Sequence, residues 1–447
     1  MDEKKIVSIS VLLISILRGV LILLLFTVLF FCKRKEKQLL NNKYNVIVKT
    51  LNQVDSLLKV DGGYFWNKNL KGPILFVNRK TREFVANEND SQQTFEKEGS
   101  LFKGVLPKEV NISNTDLYWK QKHWTMIMLP LPKDKYARNN LVIHELFHRI
   151  QDEIGFENLS ESDNSHLDTY YGRVLLKLEL EALKVALKTS NKESAKEHIM
   201  NALKFREIRQ ESNAIKFAEN SLELNEGLTE YTALRLSGRN DTQIKRHLLS
   251  SIDNYKNVKT FVRSFAYQTI PAYGYLLSKY KKNWHRKVNS KTNISDIFRS
   301  HLALKAPKRI SLNDVKNLEV YSYQSIKKVE LHRENERIAN IKKYKKMFID
   351  NATLKIVFES MNISFNPNNL IPLEDFGTVY PTLRITDNWG ILDVEKGALL
   401  SSDWKSVKVT LPLVITDNQI KGNGWELELK KSWKLSKSKK GYELKKQ

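Results

Sequence analysis

Two histidines four residues apart, His144 and His148, enclose Glu145 in the run Leu141-Val-Ile-His-Glu-Leu-Phe-His-Arg-Ile150. On an α-helix, positions i and i+4 project from one face a turn apart, so both imidazoles reach a single ion. Glu145 falls beside that face, where its carboxylate takes a proton from a metal-bound water. Zinc suits such donors: it lowers the pKa of the water and polarises a carbonyl. Leu141, Val142, Leu146, Phe147 and Ile150 are apolar, the setting of a helix half buried in a core. A surface helix with two unrelated histidines is the plain alternative. The apolar setting speaks against it, because buried histidines need partners.

A catalytic zinc site takes a third protein ligand and leaves one position open. The one cysteine, Cys32, excludes an intramolecular disulfide in a monomer and a cysteine-built zinc site, so the donors must be His and carboxylate. Downstream, Leu222-Glu-Leu-Asn-Glu-Gly-Leu-Thr-Glu-Tyr-Thr232 puts Glu226 near the start of an expected helix and Glu230 one turn later on the same face. The economical assignment makes Glu226 the third ligand. Glu230 then hydrogen-bonds a ligating histidine from behind. A solvated acidic face is the competing reading, and Leu224, Leu228 and Tyr231 argue instead for packing on at least one side. His166, Asp168, Glu179 and Glu181 are alternatives for the third ligand. His123, His198, His247, His285, His301 and His332 have no partner at ligand spacing and read as surface residues.

His144-Glu145-x-x-His148 with Asn225-Glu226-Gly227-Leu-x-Glu230-Tyr231 resembles the gluzincin metallopeptidases, in which a Glu on a second helix completes a His-His-Glu set. The likeness to well-studied, thermolysin-like members covers these two motifs. The layout from Gly62 to Gln447 is also similar to a poorly characterised family of bacterial membrane-associated or exported proteins of that type. His144 to Gln151, Asn164-Ser-His-Leu-Asp168 and the Asn225 motif carry that second likeness. The resemblance implies a Zn2+ cofactor, a peptide or protein substrate and an α+β body. In that body a small sheet precedes the zinc helix, and a large helical domain supplies Glu226 and closes the cleft.

The resemblance further implies a substrate backbone laid along an edge strand just before the zinc helix, where Trp124, Thr125, Met126, Ile127 and Met128 fall. It also implies an oxyanion-stabilising Tyr or His from a later helix, for which Tyr273, in Pro271-Ala-Tyr-Gly274, and Tyr267 are candidates. An ordinary core strand and core aromatics are the plain readings of these. Two departures matter. The interval from His148 to Glu226 is longer than usual, so a helical insertion over about 160–215 must loop out or cap the cleft. The Gly-x-Met-Glu-Asn sequence that holds a substrate's amino terminus in the large aminopeptidases is absent, so their specificity is not implied. A non-catalytic zinc-containing binding protein and a metal-dependent amidase on cell-envelope substrates are the rival functions.

The elements that must position these residues follow from pattern. At 447 residues, with 41% hydrophobic and 28% charged content, the chain suits two or three globular domains. Ile6–Cys32 is an apolar stretch interrupted once by Arg18 and long enough to cross a bilayer, so residues 1–37 read as a membrane anchor or signal segment. Lys33, Arg34, Lys35 and Lys37 pull the downstream flank toward the cytoplasm. The signal-like layout favours a body outside it, held by the anchor or through lipidated Cys32.

Residues 38–137 form an N-terminal α/β part, opened by a helix within 33–60 and continued by strands at Pro73–Val77, Glu83–Ala86 and Trp124–Leu131. Residues 138–360 read as a helical zinc-binding domain, with helices at Gly172–Lys188 and Ala195–Ile208. In 375–447, Val407, Val409 and Leu411 alternate with polar residues, as do Trp425, Leu427 and Leu429, and Gly422-Asn-Gly424 supplies a turn. That is a C-terminal antiparallel β-module. The net charge of +24 comes from scattered lysines without interleaved aromatics, so no nucleic acid is expected.

Overall fold

The computed structural model describes residues 44–107, 110, 112–157, 159, 163–303, 311–365 and 370–446. The expected anchor at 1–37, with Cys32, lies outside the described residues. Among those described, no helix is long and apolar enough to cross a membrane. The fold is mixed α+β.

The described residues open within helix α1 (44–61). Strands β1 (Ile74–Asn78), β2 (Glu83–Ala86), β3 (Glu96–Glu98), β4 (Leu101–Val105), β5 (Thr115–Trp119) and β6 (Lys122–Leu129) follow. The helices after them are α2 (Lys135–His148), α3 (Tyr170–Lys188), α4 (Lys192–Arg209), α5 (Asn213–Leu222), α6 (Leu228–Leu236), α7 (Asp241–Tyr255), α8 (Ala266–Leu277), α9 (Ile294–His301) and α10 (Tyr323–Lys345). Among the described residues thirteen further strands follow, from β7 (Thr353–Val357) to β19 (Gly441–Lys446).

Two compact units emerge. Of the described residues, the first comprises those within 44–160, 220–248 and 269–301, and the second those within 161–219, 249–268 and 302–446. The expected domain 138–360 is therefore divided between them. Long-range contacts assign its helices, and helical periodicity along the chain carries no record of those contacts.

In the first unit, β1 to β6 form a six-stranded sheet of order β3-β4-β2-β1-β6-β5. Alternation sends Leu75, Val77, Phe84, Ala86, Trp124 and Met126 into one core cluster. Ile74, Phe76, Val85 and Ile127 are buried on the other face. Helix α2 packs on β5 and β6 and runs beside α6. β6 is not an edge, contrary to expectation. It pairs in parallel with β1 (Ile74 opposite Thr125) and antiparallel with β5 (Thr115 opposite Met126), and Trp124, Thr125, Met126 and Ile127 are buried. The terminal strands of the sheet are β3 and β5, with β5 next to β6, and a periodic apolar run does not say which neighbours a strand acquires.

In the second unit, α3 and α4 are capped by Thr169 and Asn191, whose side-chain oxygens accept the Gly172 and Ser194 N–H groups. The β-module holds a seven-stranded and a six-stranded sheet that share one core, containing Leu354, Ile385, Leu392, Val407, Ile420, Leu427 and Trp425. It begins at Thr353, earlier than the expected 375.

Candidate metal centre

Helix α2 begins at Asp134, whose carboxylate accepts the Ala137 N–H. Val142, Ile143, Leu146 and Phe147 are buried, fixing the rotation of the helix. His144 and Glu145 are each only 6% exposed, and His148 is half buried. The partner element is one uninterrupted rod of α5, a π-turn over Glu223–Gly227, and α6. In the widened turn, the Leu228 N–H reaches back to the Glu223 carbonyl. The Asn225 carbonyl accepts from the Thr229 hydroxyl and the Gln151 amide. Such turns redirect side chains at the cost of regular backbone bonding. Here the redirected residue is Glu226.

The two elements bring three ligand atoms together. His144 Nε2 lies 3.1 Å from His148 Nε2. Each of these nitrogens is 3.3 Å from Glu226 Oε2. A tetrahedral zinc with bonds of about 2.0–2.1 Å needs its ligand atoms about 3.3 Å apart. The donor set and the triangle therefore both fit zinc. Among the described residues this is the cluster of three His, Cys, Asp or Glu side chains suited to a metal.

The outer imidazole nitrogens are also engaged. Glu230 Oε2 lies 3.1 Å from His144 Nδ1, and the Asn140 amide donates to both Glu230 oxygens at 3.0 and 3.1 Å. Gln151 Oε1 lies 2.6 Å from His148 Nδ1, while its amide donates to the Asn225 carbonyl at 2.9 Å. With acceptors behind both rings, the tautomers that leave both Nε2 lone pairs pointing inward are favoured.

Electrostatics fit the same picture. Burial alone would depress His144, but its hydrogen bonds to Glu226 and Glu230 prevail and raise it to about 10 without metal. Burial raises Glu145 above the ordinary carboxylate range, against the pull of His144 and His148.

The structure thus gathers His144, His148, Glu226 and Glu230, with Glu145 next to the cluster on α2. The alternative ligands are committed elsewhere, within the second unit. His166 meets Glu219 at 2.8 Å, Asp168 meets Arg173 at 3.0 Å, Glu179 meets Arg209 at 2.6 Å and Glu181 meets Lys184 at 2.6 Å. Tyr273 is 1% exposed and stacked on Phe298, with ring centroids 4.7 Å apart, so its ring serves packing. Tyr267 belongs to the second unit.

His285, expected at the surface, is buried. It stacks on Phe65 at 4.0 Å and bonds the Phe65 carbonyl at 2.8 Å. Asn140 and Gln151 were missed as site residues. Their signal was present, since they sit four residues before His144 and three after His148, within a helical turn of the ligand each one serves.

Compared with known proteins, the chain matches no family model, no curated protein and no solved structure.

Proposed function

We propose that the protein is a zinc-dependent peptide hydrolase with a gluzincin-like centre. The observation that carries this reading is the triangle of His144 Nε2, His148 Nε2 and Glu226 Oε2, with sides of 3.1–3.3 Å, beside the buried carboxylate of Glu145. Zinc held there would supply a Lewis acid that acidifies a water and polarises a substrate carbonyl.

The protein's own groups do the rest. Glu145, with its proton affinity raised by burial, takes the proton of the attacking water and returns it to the departing amine nitrogen. Glu230 and Gln151 hold the two imidazoles in the orientation that aims Nε2 inward. β5, the terminal strand next to β6, replaces Trp124–Met128 as the strand on which an extended peptide backbone would be added. The apolar stretch Ile6–Cys32 would hold this body at a membrane.

The test is metal analysis of the purified chain together with unbiased peptide profiling. Glu145→Gln should keep zinc and lose turnover by about 10³-fold, the scale of a general acid–base group. Glu226→Ala should lose zinc. Full zinc occupancy in Glu226→Ala, or undiminished cleavage by Glu145→Gln, would sink the assignment.

A further inference from the structure

At the C-terminal ends of the parallel strands β1 and β6 lies a cavity of about 990 Å³, apart from the residues that gather at the metal centre. Its walls are mostly apolar: Val46 and Ile47 from α1, Met128 to Pro132 leaving β6, and Leu141. Arg79 and Lys80, both exposed, stand among the lining residues. Lys133, also exposed, follows Pro132 directly. Among the described residues no carboxylate pairs with Arg79, Lys80 or Lys133. The neighbouring Asp134 is occupied capping α2. Apolar walls beside unpaired cations match an amphiphile with an anionic head.

The chain's own course says where that amphiphile comes from. The described part of α1 starts at residue 44, and residues 33–43 lie between it and the end of the apolar stretch Ile6–Cys32. A segment of that length reaches about 40 Å at most. If the stretch anchors the protein, as proposed above, Val46 and Ile47 of α1 and the cavity they line are kept within that reach of the bilayer. Lys33, Arg34, Lys35 and Lys37 add positive charge along the same short connection.

We propose that this cavity is a docking site for an anionic phospholipid surface. Met128–Pro132 enter the interface, and Arg79, Lys80 and Lys133 meet headgroup phosphates. The site would orient the catalytic body on the membrane, which attachment at one point does not do.

The experiment uses the full chain carrying Cys32→Ser and Leu131→Cys, so that one cysteine bears an environment-sensitive fluorophore. It is reconstituted in vesicles of phosphatidylcholine alone, or with about a third phosphatidylglycerol. With phosphatidylglycerol present, the label should shift to an apolar signal and be quenched by nitroxide-bearing lipid. Each cation reversed in Arg79→Glu and Lys80→Glu should weaken that docking roughly fivefold. A control label at Tyr118→Cys, exposed at the opposite end of β6, should stay in water. A label at 131 that remains solvated in both vesicles overturns the proposal. So does burial that is indifferent to phosphatidylglycerol and to the charge reversals. Flotation on phosphatidylcholine vesicles reads the anchor separately, so failure of the tether and failure of the cavity give different results.

Discussion

The residues around the metal centre differ in what they should control. Gln151 touches His148 on one side and the π-turn on the other, at 2.6 and 2.9 Å. Gln151→Leu removes both bonds, and zinc affinity should drop about 10- to 100-fold, the usual cost of losing a group that orients a ligating histidine. Competition with a chelator of known affinity measures it, and an unchanged dissociation constant would show that Gln151 orients nothing.

In the proposed centre His144 would make metal binding proton-linked. Without metal its pKa stands near 10, so at neutral pH the imidazole carries a proton that zinc must expel. Apparent affinity should therefore rise with pH, by up to about tenfold per unit, until pH approaches 10. Calorimetry in buffers of different ionisation enthalpy should register about one proton released per zinc at pH 7. The stability that His144 gives the metal-free fold has the matching sign, full below its unfolded value and lost as pH climbs through 10.

At the scale of elements, His285 ties the turn before β1 to the turn before α9. It sits among Phe65, Trp66, Tyr231 and Trp284, and burial pushes it down to about 4. An imidazole held neutral in the fold but free to protonate when unfolded costs stability as pH falls from about 6.5 toward 4, on the order of 3 kcal/mol across that window. Melting curves of His285→Gln should flatten in that interval. A variant that follows the parent curve there would remove His285 as the cause.

His285 also marks a limit of what sequence discloses. Strands and helices were legible where apolar periodicity is unambiguous, as in Glu83–Ala86, Trp425–Leu429 and α2. Glu226 and Glu230 were legible because their chemistry demands a spacing. The order of strands around β6 was not, nor the burial of His285, nor the π-turn. Each depends on residues distant in the chain, whose identity local pattern does not encode.

For the whole molecule, His144, His148 and Glu226, the three proposed ligands, belong to the first compact unit, and the β-module has a core of its own. Zinc should therefore slow backbone hydrogen exchange in 135–151 and 220–236 and leave 353–446 unchanged. Exchange mass spectrometry with and without a chelator decides this, and protection spread evenly over both units would contradict it. The surplus of 74 Lys and Arg over 50 Asp and Glu should make association with acidic vesicles sensitive to salt.

The loosened turn at Glu223–Gly227 has a consequence for recognising other chains of this kind. Inside α2 and inside the rod the intervals are rigid: three residues between the histidines, and three between Glu226 and Glu230. One residue more or fewer rotates a side chain about 100° off the ion. The segment joining the two helices is under no such constraint, because excursions of quite different length can return the rod to α2. Distant counterparts should thus betray themselves by two short, invariant patterns separated by an arbitrary gap, and searches that penalise long gaps would pass them by.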